Sequence, residues 1–151
     1  MIAIYVGDAS NLRRRIRQHS RGNVEGSALR KHVAEALGYG LARTRRPSGS
    51  TRVRIDAPDP RAAEQQVSNY IAGGAWRWVA CTSKEKAQVL QWAAIEALGP
   101  VLNRDRRPPR ADGRLQELAA ELASASAVPH PSADPPDSPG VYALYHDAPP
   151  G

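Results

Sequence analysis

A single cysteine, Cys81, stands among the 151 residues, which excludes an internal disulfide. It lies in the apolar stretch WRWVACT and reads as a small core side chain rather than a nucleophile. With that one thiol and four scattered histidines, a zinc site of ordinary ligand spacing cannot be built. No apolar run reaches the length of a signal peptide or a membrane span, so an intracellular, cytoplasmic protein with no membrane partner is expected. Internal repeats are absent too. Lysine is scarce: of 21 Lys and Arg residues, only Lys31, Lys84 and Lys86 are lysine.

What is present is positive charge, +6 net, with a pI near 10.0. The planar fork of arginine matches phosphate oxygens two at a time, so a polyanionic partner is expected; an Arg-rich surface that merely solvates the fold is the alternative. The length suits one domain with a modest core and a tail.

Met1 to Val6 is β-branched and aromatic and reads as a short buried strand ended by Gly7. Ser10 or Asn11 can cap the helix that follows, Leu12 to about Ser20, in which Arg15 and His19 are four apart and share a face. After a turn over 22–26, SALRKHVAEALGYGLA reads as a helix capped by Ser27 that fades at Gly38 and Gly40. RTRRPSGSTRVRID then reads as a loop leading to a strand at 51–55. Proline in the first turn and Gly-Gly beyond the end bracket a helix over 60–72. AWRWVACT alternates as a strand, and the capping box TSKE, Thr82 to Glu85, opens a helix that runs to Leu98 and stops at Gly99 and Pro100. Residues 104–138 are linker-like, with one short helix from Arg114 to about Ser124.

GVYALYH, at 140–146, is apolar, aromatic and strand-like, yet it has no partner near it in sequence. A lone strand is unstable, so it must pair with a distant one; the N-terminal strand, equally unpartnered, is the candidate.

Taken together, GVY at 140–142, YVG at 5–7, the NLRRRIRQH after it and AIEALGPVLN, which ends at Asn103, resemble the GIY-YIG nuclease superfamily. The resemblance implies an α+β fold, a small three-stranded antiparallel sheet flanked by helices, in a single domain over 1–151. Its core would be 1–21 and 75–103, with 22–74 a basic helical insertion, 104–138 a linker with a short helix, and 139–151 the family's first strand. That strand normally precedes the YIG strand. The chain therefore resembles a circular permutation cut at the tip of the first hairpin, with thirteen residues between the two motif tyrosines once the ends are joined. The C-terminal strand can complete its own sheet, giving a monomer, or a neighbour's, giving a domain-swapped homodimer.

By the same resemblance the activity is that of a hydrolase: a DNA endonuclease using one Mg²⁺ or Mn²⁺. Tyr142 and Tyr5 match the motif tyrosines and would face each other across adjacent strands, Tyr142 as general base and Tyr5 positioning water or phosphate. A free phenol titrates near about 10, so an arginine or a metal must lower it, or a histidine take its proton, for base catalysis at neutral pH. Arg15 matches the catalytic arginine, whose fork can hold two non-bridging phosphate oxygens. His19, one turn on, would shuttle a proton, contact phosphate, or lie on the surface without a role. Gly7, Asn11 and Asn103 would support the site, Asn103 through side-chain hydrogen bonds.

The family's metal-binding glutamate falls at Gln91, whose neutral carbonyl oxygen attracts a divalent cation far more weakly than a carboxylate. Glu85 and Glu96 stand elsewhere around the helix. Gln91 marks a naturally impaired homologue, a Glu-to-Gln variant, or a slip in the alignment. Between Arg13 and Arg54 there are twelve basic residues against only Glu25 and Glu35. Arg13, Arg14, Arg17, Arg43, Arg45, Arg46 and Arg52 are accordingly candidate nucleic-acid contacts. Two other functions stay open: a non-catalytic nucleic-acid-binding module, and a non-nucleolytic enzyme that reuses the Tyr/Arg pocket on a small anionic substrate.

Overall fold

The computed structural model describes residues 1–103 and 113–151. In chain order the elements are β1 (Ile2–Ala9), α1 (Leu12–Arg21), α2 (Ala28–Ala36), β2 (Gly40–Arg45), β3 (Thr51–Asp56), α3 (Pro60–Ala72), β4 (Ala75–Ala80), α4 (Lys84–Leu98), α5 (Gly113–Ser124), β5 (Val128–Pro129) and β6 (Gly140–His146). Short 3-10 turns lie at Val24–Gly26 and His130–Ser132. This is an α+β chain with antiparallel sheets. It divides into two compact units: Met1–Ile16 with Gly73–Pro149, and Arg17–Ala72 with Pro150–Gly151.

The first unit holds a sheet of order β1-β6-β4-β5, four strands where three are expected. The extra one, β5, is two residues long and lies in the stretch read as linker. Its Pro129 has no N–H for a ladder, which confines it to an edge and leaves no alternating pattern to read. The rest of that linker over 104–112 lies outside the described residues. β6 is interior although it comes last in the chain. It pairs antiparallel with β1 on one side and with β4 on the other. Gly140 through Tyr145 are all buried, and a strand covered on both faces reads as a continuous apolar run, as GVYALY does.

β1 does not end at Gly7 as expected. Its ladder with β6 continues through Gly7↔Tyr142 to Ala9↔Gly140, because the partner strand supplies hydrogen bonds that override the glycine. The register shifts between Ala3 and Tyr5, so Ile4 is the extra residue of a β-bulge. One sheet face, with Val6, Val79, Val141, Ala143 and Tyr145, packs on Ala87, Leu90, Ala93 and Ala94 of α4 and on Ala119 and Leu122 of α5. The cap of α4 is Ser83, one residue past the expected Thr82: the Ser83 hydroxyl accepts the Lys86 N–H at 3.2 Å. Gly99 ends the helix in the left-handed conformation, φ 54°.

The second unit is built on α2, α3 and a two-stranded ribbon, β2–β3. Ser27 caps α2 as expected, accepting from the Arg30 N–H at 3.1 Å. The helix ends at Ala36, however, and the residues read as its fading end and a loop form β2. LARTR carries too little apolar alternation to announce a strand; its pairing with β3 makes it one. Arg30 is fully buried, and its guanidinium is held at 2.9 Å by the carbonyls of His19 and Glu64 and by the Glu64 carboxylate. The other Glu64 oxygen accepts the Val24 N–H at 2.9 Å, so the pair also ties the 3-10 turn to α3.

A two-stranded ribbon is marginal alone. Here Val53 and Ile55 are buried, and Glu25 binds β3, accepting from the Val53 N–H at 3.3 Å and pairing with Arg46 at 2.7 Å and Arg54 at 3.4 Å. The Arg46 hydrogen bond foremost holds the Glu25 carboxyl below its ordinary pKa. A lowered carboxylate stabilises the fold above its unfolded pKa and loses that contribution as pH falls through the folded value. The parent should therefore lose more melting temperature than Glu25→Gln between pH 6 and pH 3, as followed by circular dichroism. Equal losses would remove Glu25 as the ribbon's anchor.

Candidate active site

Strand alternation and the bulge at Ile4 put Tyr5, Gly7 and Tyr142 on the sheet face opposite α4. The Tyr5 and Tyr142 rings lie 6.3 Å apart, tilted by 35°. Gly7, directly opposite Tyr142 in the ladder, makes room for this: a Cβ there would land on the Tyr142 hydroxyl and 3.0 Å from Cε1 of Tyr5. Gly7→Ala should cost about 1–3 kcal/mol of stability by overpacking, read as a lower melting midpoint, and should push both rings out of place. An unchanged midpoint would show that the rings move aside freely.

Behind Tyr142, the Trp76 ring meets it edge-on at 5.9 Å. Trp76 in turn donates its indole N–H to Nδ1 of His130 at 3.1 Å. The tyrosine is thus backed by a ring that is itself hydrogen-bonded.

Arg15 enters from α1. Its guanidinium hydrogen-bonds the Tyr142 hydroxyl, and its charge also acts on Tyr5 and Asp8. The start of α1 is anchored within the same unit. Asn11 caps it, accepting the Arg14 N–H at 3.0 Å, and the Leu12 N–H bonds the Ser138 carbonyl at 2.9 Å, just before β6. Arg13 reaches back to Asp134 at 3.1 Å and to the Pro135 carbonyl at 3.1 Å. It is an internal tether as well as a surface charge. Arg14 and Arg17 are exposed on α1.

Beyond α4 the chain runs along the outer edge of β1. Val101 and Leu102 donate to the carbonyls of Ala3 and Ile4 at 3.2 and 2.9 Å. The Asn103 side chain then completes the edge, accepting the Val6 N–H at 2.8 Å and donating to the Val6 carbonyl at 2.9 Å. A side-chain amide here does the work of a strand residue, which fixes β1 between the two positions that carry Tyr5 and Gly7.

Burial pushes the Tyr142 phenol well above its ordinary pKa, helped by neighbouring Tyr5; Arg15 pulls the other way and does not win. Tyr5 is also raised, by burial first. The lowered phenol that base catalysis asks for is therefore not what the fold provides: desolvation penalises the phenolate more than one guanidinium repays. At neutral pH the pocket presents two neutral hydroxyls and one cation.

Asp8 is the residue that the sequence reading missed. Half-buried at the end of β1, it is a carboxylate whose charge acts on both tyrosines, and burial raises its own pKa against the pull of Lys84 and Arg15. Its place one residue after the YVG glycine carries no pattern of its own.

His19 lies in the other unit. It is fully buried, with Nδ1 2.6 Å from the Ser27 hydroxyl and its carbonyl bound by Arg30. Gln91 is half-buried on α4, at the flank of the Ala87, Leu90 and Ala94 stripe, and Glu85 and Glu96 are exposed. Among the described residues no group of three or more His, Cys, Asp or Glu could hold a metal ion. A neutral amide at position 91 does not fit a carboxylate-held divalent cation. Arg43, Arg45 and Arg52 are exposed on the ribbon of the second unit, where Arg46 is held by Glu25.

The family model of the GIY-YIG catalytic domain matches residues 1–122. No curated protein and no solved structure matches the chain.

Proposed function

Because the chain belongs to the GIY-YIG catalytic-domain family, whose members are nucleases generally dependent on a divalent metal, we propose that it is a DNA endonuclease working through Tyr5, Tyr142 and Arg15. The observation that carries the reading is the junction of these three on one sheet face, with Arg15 bonded to the Tyr142 hydroxyl.

In the proposed reaction Arg15 holds the non-bridging oxygens of the scissile phosphate as negative charge grows on them, a task its two-pronged fork suits. Tyr5 and Tyr142, neutral at working pH, donate hydrogen bonds that orient phosphate and the attacking water. Tyr142 serves as a proton acceptor only after losing a proton that burial holds in place, so its first role is orientation. Asn103, Gly7 and Asn11 keep the strand and helix that carry these groups in position. His19, closed onto Ser27 within the second unit, is proposed to hold the C-terminal half of α1 to the start of α2. Mg²⁺ or Mn²⁺ is the metal proposed from the family, and no step is assigned to it because Gln91 is not a suitable ligand.

The family's first strand is proposed to be β6, carried to the C-terminus by circular permutation. Its antiparallel pairing with β1 supports this, and the pairing is the same in a monomer and in a strand-exchanged dimer. Gln91 favours a second reading, a nucleic-acid-binding module that does not cut.

Plasmid nicking with Mg²⁺ or Mn²⁺, by this chain and by Gln91→Glu, separates the two. Cutting that appears or rises about 100-fold in Gln91→Glu supports the endonuclease scaffold. Salt-dependent DNA binding with no cutting by either supports the module.

A further inference from the structure

The tip of the β2–β3 ribbon carries more than scattered charge. Its turn is built by Pro47, Ser48 and Gly49, with the Gly49 N–H on the Arg46 carbonyl at 2.9 Å and the Arg46 N–H on the Ser50 carbonyl at 2.8 Å. Gly49 has φ 91°, which makes this a three-residue hairpin loop with a glycine bulge. Six residue pairs, from Gly40↔Asp56 to Arg45↔Thr51, make a ribbon about 20 Å long at the usual rise per residue.

The register distributes the guanidinium groups. Arg43 and Arg45 lie opposite Val53 and Thr51 on one face, and Arg52 lies opposite Thr44 on the other. All three are exposed, and none has an ion-pair partner among the described residues, because Glu25 is occupied by Arg46 and Arg54. Between them the tip offers the hydroxyls of Thr44, Ser48, Ser50 and Thr51, all exposed. Residues 40–56 contain no aromatic side chain.

We infer that this ribbon enters the major groove of B-form duplex DNA, an inference that rests on the nucleic-acid reading above and adds the surface and the groove. A B-DNA major groove, about 12 Å wide and about 8.5 Å deep, admits a two-stranded ribbon. Val53 and Ile55 bury the base of the face that carries Arg43 and Arg45, so it is the tip, with Arg45 on one side and Arg52 on the other, that suits a groove with phosphate walls on either side. The A-form major groove of duplex RNA is too deep and narrow to admit it. Single strands are bound largely by stacking on aromatic rings, which this segment lacks.

The test uses the full chain and the variant Arg43→Gln/Arg45→Gln/Arg52→Gln. Binding is read by fluorescence anisotropy on a 30-base-pair DNA duplex, its separate strands and the same sequence as duplex RNA, over a salt series. The parent should prefer the DNA duplex. The variant should lose at least about tenfold in affinity, with its salt slope reduced by about 0.9 for each lost phosphate contact. Methyl green, a major-groove ligand, should compete, and netropsin, a minor-groove ligand, should not. The triple Lys variant guards against misfolding, since it should keep most of the salt slope. Unchanged binding by the Gln variant, equal binding of duplex RNA, or competition by netropsin alone overturns the inference. The two readings fail separately: Arg15→Ala tests cutting without touching the ribbon, and the Gln variant tests binding without touching the pocket.

Discussion

A chain ending at Pro139 should not fold. β6 is the interior strand of its sheet, so its removal strips β1 and β4 of their shared ladder. Val141, Tyr142, Leu144 and Tyr145 leave with it, each at most 5% exposed. At about 1.5–3 kcal/mol for each large side chain, the four together are worth about 6–12 kcal/mol, comparable to the whole net stability of about 5–15 kcal/mol typical of a domain. The expected result is a chain without a cooperative thermal transition by circular dichroism. A peptide of residues 139–151 added in trans should restore part of the transition, because the gap between β1 and β4 is specific in register. A truncated chain that melts cooperatively at the parent's midpoint would mean that β6 is dispensable, and the permutation proposal would go with it.

Arg15→Ala should abolish cutting while leaving the fold standing. The substitution removes the pocket's cation and the partner of the Tyr142 hydroxyl. Loss of one donor aimed at developing charge costs about 100- to 1,000-fold in rate. The fold should lose little, since a single hydrogen bond is worth about 1 kcal/mol and alanine suits a helix. Nicking by Gln91→Glu with and without Arg15→Ala gives the comparison even if the parent cuts weakly. Arg15→Lys should recover little, because an ammonium keeps the charge and loses the fork. An Arg15→Ala chain that unfolds, or one that cuts normally, would move Arg15 out of the proposed chemistry.

Helix ends were legible in the sequence wherever a residue acts on its own neighbours. Ser27 before α2, Asn11 before α1, Pro60 opening α3 and Gly99 closing α4 each act through local hydrogen bonds or backbone geometry. Strands were legible where an apolar run or an alternation marks them, as in GVYALY, AWRWVA and the strand read at 51–55. β2 escaped because its side chains are mostly exposed and its partner provides the order. β5 escaped because two residues cannot carry a pattern.

The site divides along the same line. The tyrosines, the arginine and the substituted position 91 are chemical identities at particular spacings, and those are written in the chain. The pKa of Tyr142 is a property of what surrounds the ring, and no spacing reveals that burial prevails over Arg15 there. Asp8 went unnoticed because one carboxylate beside a glycine has no pattern until a fold brings Arg15 and Lys84 to it.

By itself the sequence determined most helix caps, the apolar run that becomes an interior strand, and the inventory of phenols and guanidinium groups, since each depends on residue type and near neighbours; the end of α2 at Ala36 was set by the strand that follows it. Tertiary structure alone decided that the last strand sits second in the sheet, that a bulge at Ile4 separates the face of Ala3 from that of Tyr5, and that Asn103 holds Val6 from 97 residues away. These depend on which distant surfaces meet, and that is set by packing of the whole unit rather than by any local preference.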